Sequence, residues 1–383
     1  MTDPTALDAY RYRRVGPVEL YLGDAREVLA AMPDGSVDSI VTSPPFWSLR
    51  DYGTGAWHNG IPDCPHPLPP RLRRDGATCG RCGATWVDLQ YGLEPTVDAY
   101  VERLVRVFDE ARRVLHPAGT LWLNLGDSYT GGTRYAYDTG GITAGVGALM
   151  PAKNLIGVPW RTAFALQARG WWLRNAVIWS KTNPMPESVT DRLSTSYELL
   201  FLLTRSRSYY FDLDPIRTPL LRPEAADGTR IIGGARKGRT GGVDATARRR
   251  GATAYGTGKY RAEDAGVEPR AGAGNLVPLG HAHTAAHAKG RNPGDVWRIA
   301  TRPYRGSHVA PFPVDLPLRA IAAGCPPGGV VLDPFSGAGT TGLAALRLGR
   351  RFVGVDISAA FHDEALNRLA PHLPDDLPSG ESG

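Results

Sequence analysis

The 383-residue chain has only four cysteines and four methionines, and no apolar run in it approaches the roughly 18 residues that a bilayer span requires. Four cysteines are too few to staple a chain of this length, which excludes a secreted disulfide scaffold. The first residues, Met1 to Tyr10, lack the basic-then-apolar layout of a secretory signal, so a cytoplasmic protein with no membrane partner is expected. Negative charge is also in short supply: 38 Asp and Glu stand against 44 Lys and Arg, giving a net charge of +6. That balance suits a polyanionic partner such as nucleic acid.

Hydrophobic residues make up 42% of the chain, enough for one large core with an appended region. Val37 to Thr42 reads as a short buried strand stopped by Pro44-Pro45, which cannot continue a ladder. From Val97 to Leu115, apolar residues at Val97, Val101, Leu104, Val105, Phe108, Ala111 and Leu115 form a helical stripe, and Pro117-Ala118-Gly119 turns it into a strand at Thr120 to Asn124. A helix near Trp160 to Ala168 and strands at Asn175 to Ser180 and Tyr197 to Leu203 follow. A helix at Leu316 to Ala323, a strand at Val330 to Leu332, a helix at Thr340 to Leu348 and a strand at Arg351 to Val355 complete the pattern. This alternation predicts an α/β fold with a doubly wound, mostly parallel sheet. Trp160, Trp171 and Trp172 are expected as packing residues, and Cys325 as a small buried one.

Arg222 to Asn292 interrupts the alternation. It is rich in Gly, Ala and Arg, and its thirteen Lys and Arg against six Asp and Glu account for the whole positive excess of the chain. It reads either as a flexible insert or as a basic region that follows phosphates. His281, His283 and His287 lie in it without a nearby acid or cysteine and are taken as solvated.

Two segments carry chemistry. Val330 to Thr341 is a strand entering a tight turn, Asp333-Pro334-Phe335-Ser336-Gly337-Ala338-Gly339-Thr340, that opens a helix. Gly337 and Gly339 let backbone approach a ligand where a Cβ would collide, and the helix start offers unpaired N–H groups. The next strand ends at Asp356, at the distance where an acid takes ribose hydroxyls. A nucleoside site is expected there.

The other segment is Thr42-Ser43-Pro44-Pro45-Phe46-Trp47. The exocyclic amine of cytosine or adenine is a poor nucleophile, because its lone pair is delocalised into the ring. Acceptors for its N–H groups favour a pyramidal nitrogen aimed at a methyl donor. The Ser43 hydroxyl and the Pro44 carbonyl can be such acceptors, and Phe46 can stack on a flipped base. In isolation, Pro44-Pro45 after a strand is simply a rigid turn.

Together, Ser43-Pro44-Pro45-Phe46 and the Asp333 to Thr340 turn resemble the S/D-P-P-aromatic and D-P-F-x-G-x-G-T motifs of the amino-methylating DNA methyltransferases. The catalytic motif precedes the cofactor motif with the basic segment between them, as in the family's permuted β group, and the likeness runs from Tyr21 to about Leu369. It implies a Rossmann-like sheet, S-adenosyl-L-methionine as methyl donor and double-stranded DNA as partner. It also implies catalytic roles for Ser43, Pro44, Pro45 and Phe46. Cofactor contacts are implied for Asp24, Phe312, Asp333, Phe335, Gly337, Gly339, Thr340 and Asp356. Leu121 to Asp127, Arg174 to Lys181 and Tyr197-Glu198 resemble further family elements, those after Arg174 flanking the target pocket. Serine at 43 with phenylalanine at 46 is the variant more usual in N4-cytosine enzymes, with N6-adenine as the alternative.

Cys64-x-His66 and Cys79-x-x-Cys82 offer four ligands suited to a tetrahedral structural Zn2+, with His58 as a possible substitute for His66. The expected division is residues 1–60 and 90–221 as the catalytic part and 61–89 as a zinc-binding insertion. A basic target-recognition region follows at 222–292, the cofactor-binding part at 293–370, and a disordered tail at 371–383. Cytosine-C5 methylation is disfavoured, because it needs a positioned cysteine nucleophile and Cys64-Pro65 reverses the usual Pro-Cys order. Methylation of RNA or of a protein glutamine, and a zinc-bearing DNA-binding protein without catalysis, are the rival classes.

Overall fold

A computed structural model describes residues 4–66, 76–130, 150–220, 289–304, 306 and 311–373. Residues 221–288, which hold nearly all of the basic segment and its three histidines, lie outside the described residues, as does the tail from 374. The chain divides into two compact units, residues 1–212 with 294–383, and residues 213–293. Described residues of the second unit include a short 3-10 turn at Asp214–Ile216 and a bridge between Thr218 and Arg291.

In the first unit, α1 (Pro4–Asp8) precedes the antiparallel pair β1 (Arg11–Val15) and β2 (Val18–Leu22). Then come α2 (Ala25–Ala31), β3 (Val37–Thr42), β4 (Ala56–His58), β5 (Thr85–Val87), α3 (Val97–Val114) and β6 (Leu115–Leu125). The chain continues through α4 (Val158–Ala168), β7 (Trp172–Lys181), β8 (Tyr197–Thr204) and β9 (Val296–Ile299). It closes with α5 (Asp315–Gly324), β10 (Val330–Asp333), α6 (Thr340–Arg347), β11 (Arg351–Asp356) and α7 (Ala359–Leu369).

The main sheet runs β1-β2-β11-β10-β3-β6-β8-β7-β9. Strands β2, β11, β10, β3 and β6 are mutually parallel, whereas β8 is antiparallel to both β6 and β7. The predicted alternation is therefore present, with an antiparallel excursion where β8 follows β7 without a crossover helix. Side chains alternate between two cores. Ile40, Leu121, Leu123 and Leu332 join the residues of α2, α3 and α4, while Val41, Trp122 and Val331 are buried outside that cluster. Helix α6 packs on both α5 and α7 in the other layer. Both faces are thus covered, which is why β10 is buried along its whole length.

Helix α3 shows how local sequence sets this frame. Thr96 Oγ1 accepts from the Ala99 N–H at 3.1 Å as its N-cap, and Val97, Tyr100, Leu104, Phe108 and Ala111 form the buried stripe. Trp171 is buried as expected, but Trp160 and Trp172 are 40% and 47% exposed. Trp160 packs edge-on against Phe201 and beside Phe164 at a helix surface. No helix among the described residues is long and apolar enough to cross a membrane.

Phe108 is fully buried, so Phe108→Ala should lower unfolding free energy by about 4 kcal/mol, and Thr96→Ala by about 1 kcal/mol. Equilibrium denaturation of the two variants beside the parent chain checks both.

Candidate active site

β3 and β10 are parallel neighbours, with Val331 opposite Ser39 and Leu332 opposite Ile40, so the segments leaving their C-terminal ends emerge side by side. Beyond β3 lies Ser43 to Phe46, and beyond β10 the glycine turn. To one side the sheet continues into β11 and β2, to the other into β6, which makes this a switch point where open α/β sheets bind ligands. A cavity of about 460 Å³ opens there, and both motifs line it.

Of the residues expected to touch a cofactor, Phe312, Phe335, Gly337, Thr340 and Asp356 are on the cavity wall. Asp356 Oδ2 accepts from the Gly337 N–H at 2.8 Å and Oδ1 from the Ser358 N–H at 2.9 Å, which holds the turn against the end of β11. Burial pushes its carboxyl up to about 6. Ser336, 5% exposed and on the same wall, has a hydroxyl with no partner among the described residues, an atom that a polar ligand group would satisfy. The wall and this orphaned hydroxyl fit a nucleoside-bearing ligand.

Three of the expected residues stand differently from these. Asp333 touches the cavity, but its carboxylate is committed inside the fold: it accepts from Thr42 Oγ1 and Thr341 Oγ1, each at 2.6 Å, and from the Phe335 N–H at 3.1 Å. It is 2% exposed, and burial pushes it up to about 6. Gly339 is not on the wall. Its φ is +70°, and a Cβ there would meet Ala365 Cβ of α7 at 2.9 Å, so helix packing and turn geometry require this glycine. Asp24 is the N-cap of α2, accepting from the Arg26 and Glu27 N–H groups and from the Tyr91 hydroxyl, while its neighbours Gly23 and Ala25 line the cavity.

Ser43, Pro44, Pro45 and Phe46 all line the cavity. The Tyr100 hydroxyl donates to the Pro45 carbonyl at 2.9 Å, whereas the Pro44 carbonyl has no donor among the described residues. Phe46 lies against Gly126, where a Cβ would come within 2.6 Å of the ring. The Ser43 hydroxyl donates to Asn124 Oδ1 of β6 at 3.0 Å. Asn124, Lys181 and Glu198 complete this side of the wall. The first of these was legible only as part of a motif, and nothing in its spacing indicated a partner for Ser43.

Arg50, Tyr52, Gln90 and Tyr91 also line the cavity, and no sequence signal marked them because they sit on irregular connections. Gln90 ties the two connections together: its side chain accepts from the Tyr52 N–H at 2.7 Å and donates to the Arg50 carbonyl at 2.8 Å. Tyr91 meets Phe335 edge-on at 5.1 Å and carries the Arg103 guanidinium over its ring at 3.8 Å.

Between those connections stands the cysteine-rich insertion. β4 and β5 pair antiparallel with Trp57 opposite Trp86, and the Cys79 N–H to Ala84 and Gly83 N–H to Cys79 bonds shape a tight turn around Cys82. The ligand atoms of Cys64, His66, Cys79 and Cys82 all lie within 4.8 Å of one another. Sulfurs on a tetrahedral zinc are about 3.8 Å apart, given Zn–S bonds of about 2.3 Å. The Cys64 and Cys79 sulfurs are 3.9 Å apart, so the four-ligand set fits such an ion. His66, stacked on Trp57, is the histidine of the cluster, and His58 stands in β4 outside it. Residues 67–75 of the expected insertion lie outside the described residues. Cys325 is fully buried at the end of α5, where burial pushes its thiol up to about 12, the setting expected of a small packing residue.

The chain is 35% identical over 376 residues to the type II methyltransferase M.Cfr9I of Citrobacter freundii, covering 95% of this chain and 93% of that one. It is 33% identical to M.SmaI of Serratia marcescens, over 92% of this chain and 90% of the relative. Among solved structures, PvuII DNA methyltransferase (cytosine-N4-specific) shares the fold, with a TM-score of 0.51 at 15% identity, covering 96% of this chain and 91% of that one. The sequence model of the N6/N4 DNA methylase family matches residues 37–367, and the chain belongs to that family of DNA methyltransferases.

Proposed function

We propose that the protein transfers a methyl group from S-adenosyl-L-methionine to N4 of cytosine at a specific site in double-stranded DNA. The observation that carries this is the meeting, in one cavity, of two acceptors beyond β3, the Ser43 hydroxyl and the Pro44 carbonyl, with the Asp356-braced turn beyond β10. Serine rather than aspartate at 43 supports cytosine over adenine.

S-adenosyl-L-methionine supplies an electrophilic methyl group. The chain's own residues hold and orient. Asp356 accepts from the ribose hydroxyls, and Phe335 and Phe312 give apolar wall to the adenosyl part. Thr340, whose hydroxyl accepts from Arg368 at 2.7 Å, fixes the helix start beneath them. Ser43 Oγ and the Pro44 carbonyl accept the two N–H bonds of the flipped base, so the nitrogen lone pair points away from the ring plane. Phe46, backed by Gly126, stacks on the base. No covalent intermediate with the chain is required. The basic stretch 222–292 is the target-recognition region, its positive excess neutralising DNA phosphates.

Cys64, His66, Cys79 and Cys82 hold a structural Zn2+. Its role is to brace the cavity wall, because the connections that enter and leave the insertion carry Arg50, Tyr52, Thr54 and Gln90 on that wall.

Purified protein incubated with unmethylated duplex DNA and labelled cofactor, then digested to nucleosides, should yield N4-methylcytosine. Ser43→Ala should cut turnover by about 100-fold. N6-methyladenine instead would overturn the base assignment alone, and cofactor binding without any methylated nucleoside would favour a DNA-binding protein that has lost catalysis.

The raised carboxyl of Asp356 sets a pH dependence. Its folded pKa of about 6 lies above the ordinary carboxylate value, so the acceptor form is lost as pH falls through about 6. Cofactor affinity measured by calorimetry should therefore weaken between pH 7.5 and pH 5. Asp356→Asn should bind weakly at both pH values.

Elemental analysis should find about one zinc per chain, absent from a Cys79→Ser, Cys82→Ser variant. Chelation should lower both the thermal midpoint and cofactor affinity; a metal-free chain with unchanged affinity would remove the bracing role.

A further inference from the structure

Four polar side chains on the target side of the cavity form one continuous chain. Lys181 Nζ of β7 pairs with Glu198 Oε1 of β8 at 2.6 Å. Asn124 of β6 donates through Nδ2 to Glu198 Oε2 at 3.1 Å and to the Leu199 carbonyl at 3.1 Å. Asn124 Oδ1 then accepts from the Ser43 hydroxyl at 3.0 Å.

The direction of every bond in this chain follows from chemistry. A carboxylate and a backbone carbonyl can only accept, so the amide nitrogen of Asn124 must face them, and its oxygen must face Ser43. An amide oxygen cannot donate, so the serine proton must point at Asn124. Both remaining lone pairs of Ser43 are thereby left to the cavity. Asn124 is 1% exposed and is held from two sides, which leaves it no alternative orientation. A free serine hydroxyl could instead turn its proton toward the base, and would then compete for the nitrogen lone pair that methyl transfer needs.

We propose that Asn124 is a positioning residue that makes Ser43 an obligate hydrogen-bond acceptor, with the Lys181–Glu198 pair locking the amide that does so. This rests on the amine-methylating reading given above. The dependence of Ser43 on a buried amide one strand away explains why both ends of the ion pair line the same cavity as the catalytic motif. It also assigns the pair a role other than contact with the cofactor.

Two substitutions separate orientation from packing. Asn124→Leu has similar volume but no acceptor for Ser43. It should lose turnover by about 100-fold while KM for cofactor and DNA changes little, and its thermal midpoint should fall less than that of the aspartate variant, which loses the same donor and adds a charge. Asn124→Asp keeps an acceptor for Ser43 but sets a carboxylate beside Glu198. It should lower the thermal midpoint through like-charge repulsion and yet keep turnover within about 10-fold of the parent. The order of stability and the order of activity are therefore opposite, which a purely structural role would not produce. In a Ser43→Ala background, Asn124→Leu should cost no further activity. Turnover that tracks the thermal midpoint across the variants, or full additivity with Ser43→Ala, would overturn the proposal. A parent chain that methylates no DNA amine would overturn the reading beneath it instead, and the parent control tells the two apart.

Discussion

One buried carboxylate holds the active site together. Asp333 accepts from Thr42 and Thr341 at 2.6 Å each, and so clamps the end of β3 to the end of β10 and to the start of α6. Thr42 is the residue before Ser43, so the clamp sets the height at which Ser43 leaves the sheet relative to the glycine turn. The cost is visible in Asp333 itself, whose carboxyl burial pushes up to about 6. Three donors satisfy it, two of them hydroxyls that are themselves buried, which makes a carboxylate tolerable at a site of 2% exposure. The aspartate of the D-P-F motif is thus a structural clasp at the edge of the cavity.

Most of the frame was legible because its signals are local. The run Val37 to Thr42 occupies the predicted strand residue for residue, and the stripe from Val97 gives α3 to within one residue. The glycine turn was legible as a turn, but the reason for Gly339 was not, since Ala365 of α7 is the atom a Cβ would strike and no sequence pattern places that helix. Asp24 shows the same limit. An acid after a strand suits a ligand contact and a helix N-cap equally, and the N-cap role shows only in the hydrogen bonds from the Arg26 and Glu27 N–H groups. Gln90 and Tyr91 carried no signal at all, because their contribution depends on where two irregular connections meet.

The cavity wall draws on two kinds of support. On the side of β6, β7 and β8 the functional groups stand on paired strands, so their spacing is set by ladder hydrogen bonds. On the side of residues 49–54 and 88–91 there is no ladder, and Gln90 bridges the two connections instead. The Cys/His cluster lies just beyond this bridge, where β4 and β5 supply only three residues each. A two-stranded ribbon of that size is marginal by itself, and the four Cys and His side chains gather beside it.

The order of the two motifs along the chain matters little to the site, for a reason that lies in the sheet. Thr42 and Asp333 are 291 residues apart in sequence, yet they hydrogen-bond directly, because β3 and β10 are adjacent strands. Loop-closure entropy grows only logarithmically with length, so inserting a segment between neighbouring strands costs far less than breaking their contact. Both interruptions fall in connections: the cysteine-rich segment between β3 and α3, and residues 213–293 between β8 and β9. Neither divides β3 from β10, β10 from β11, or β6 from β8. Parts outside the sheet can therefore differ in length and charge while the spacing between Ser43 and the glycine turn is kept by the strands and the single carboxylate between them.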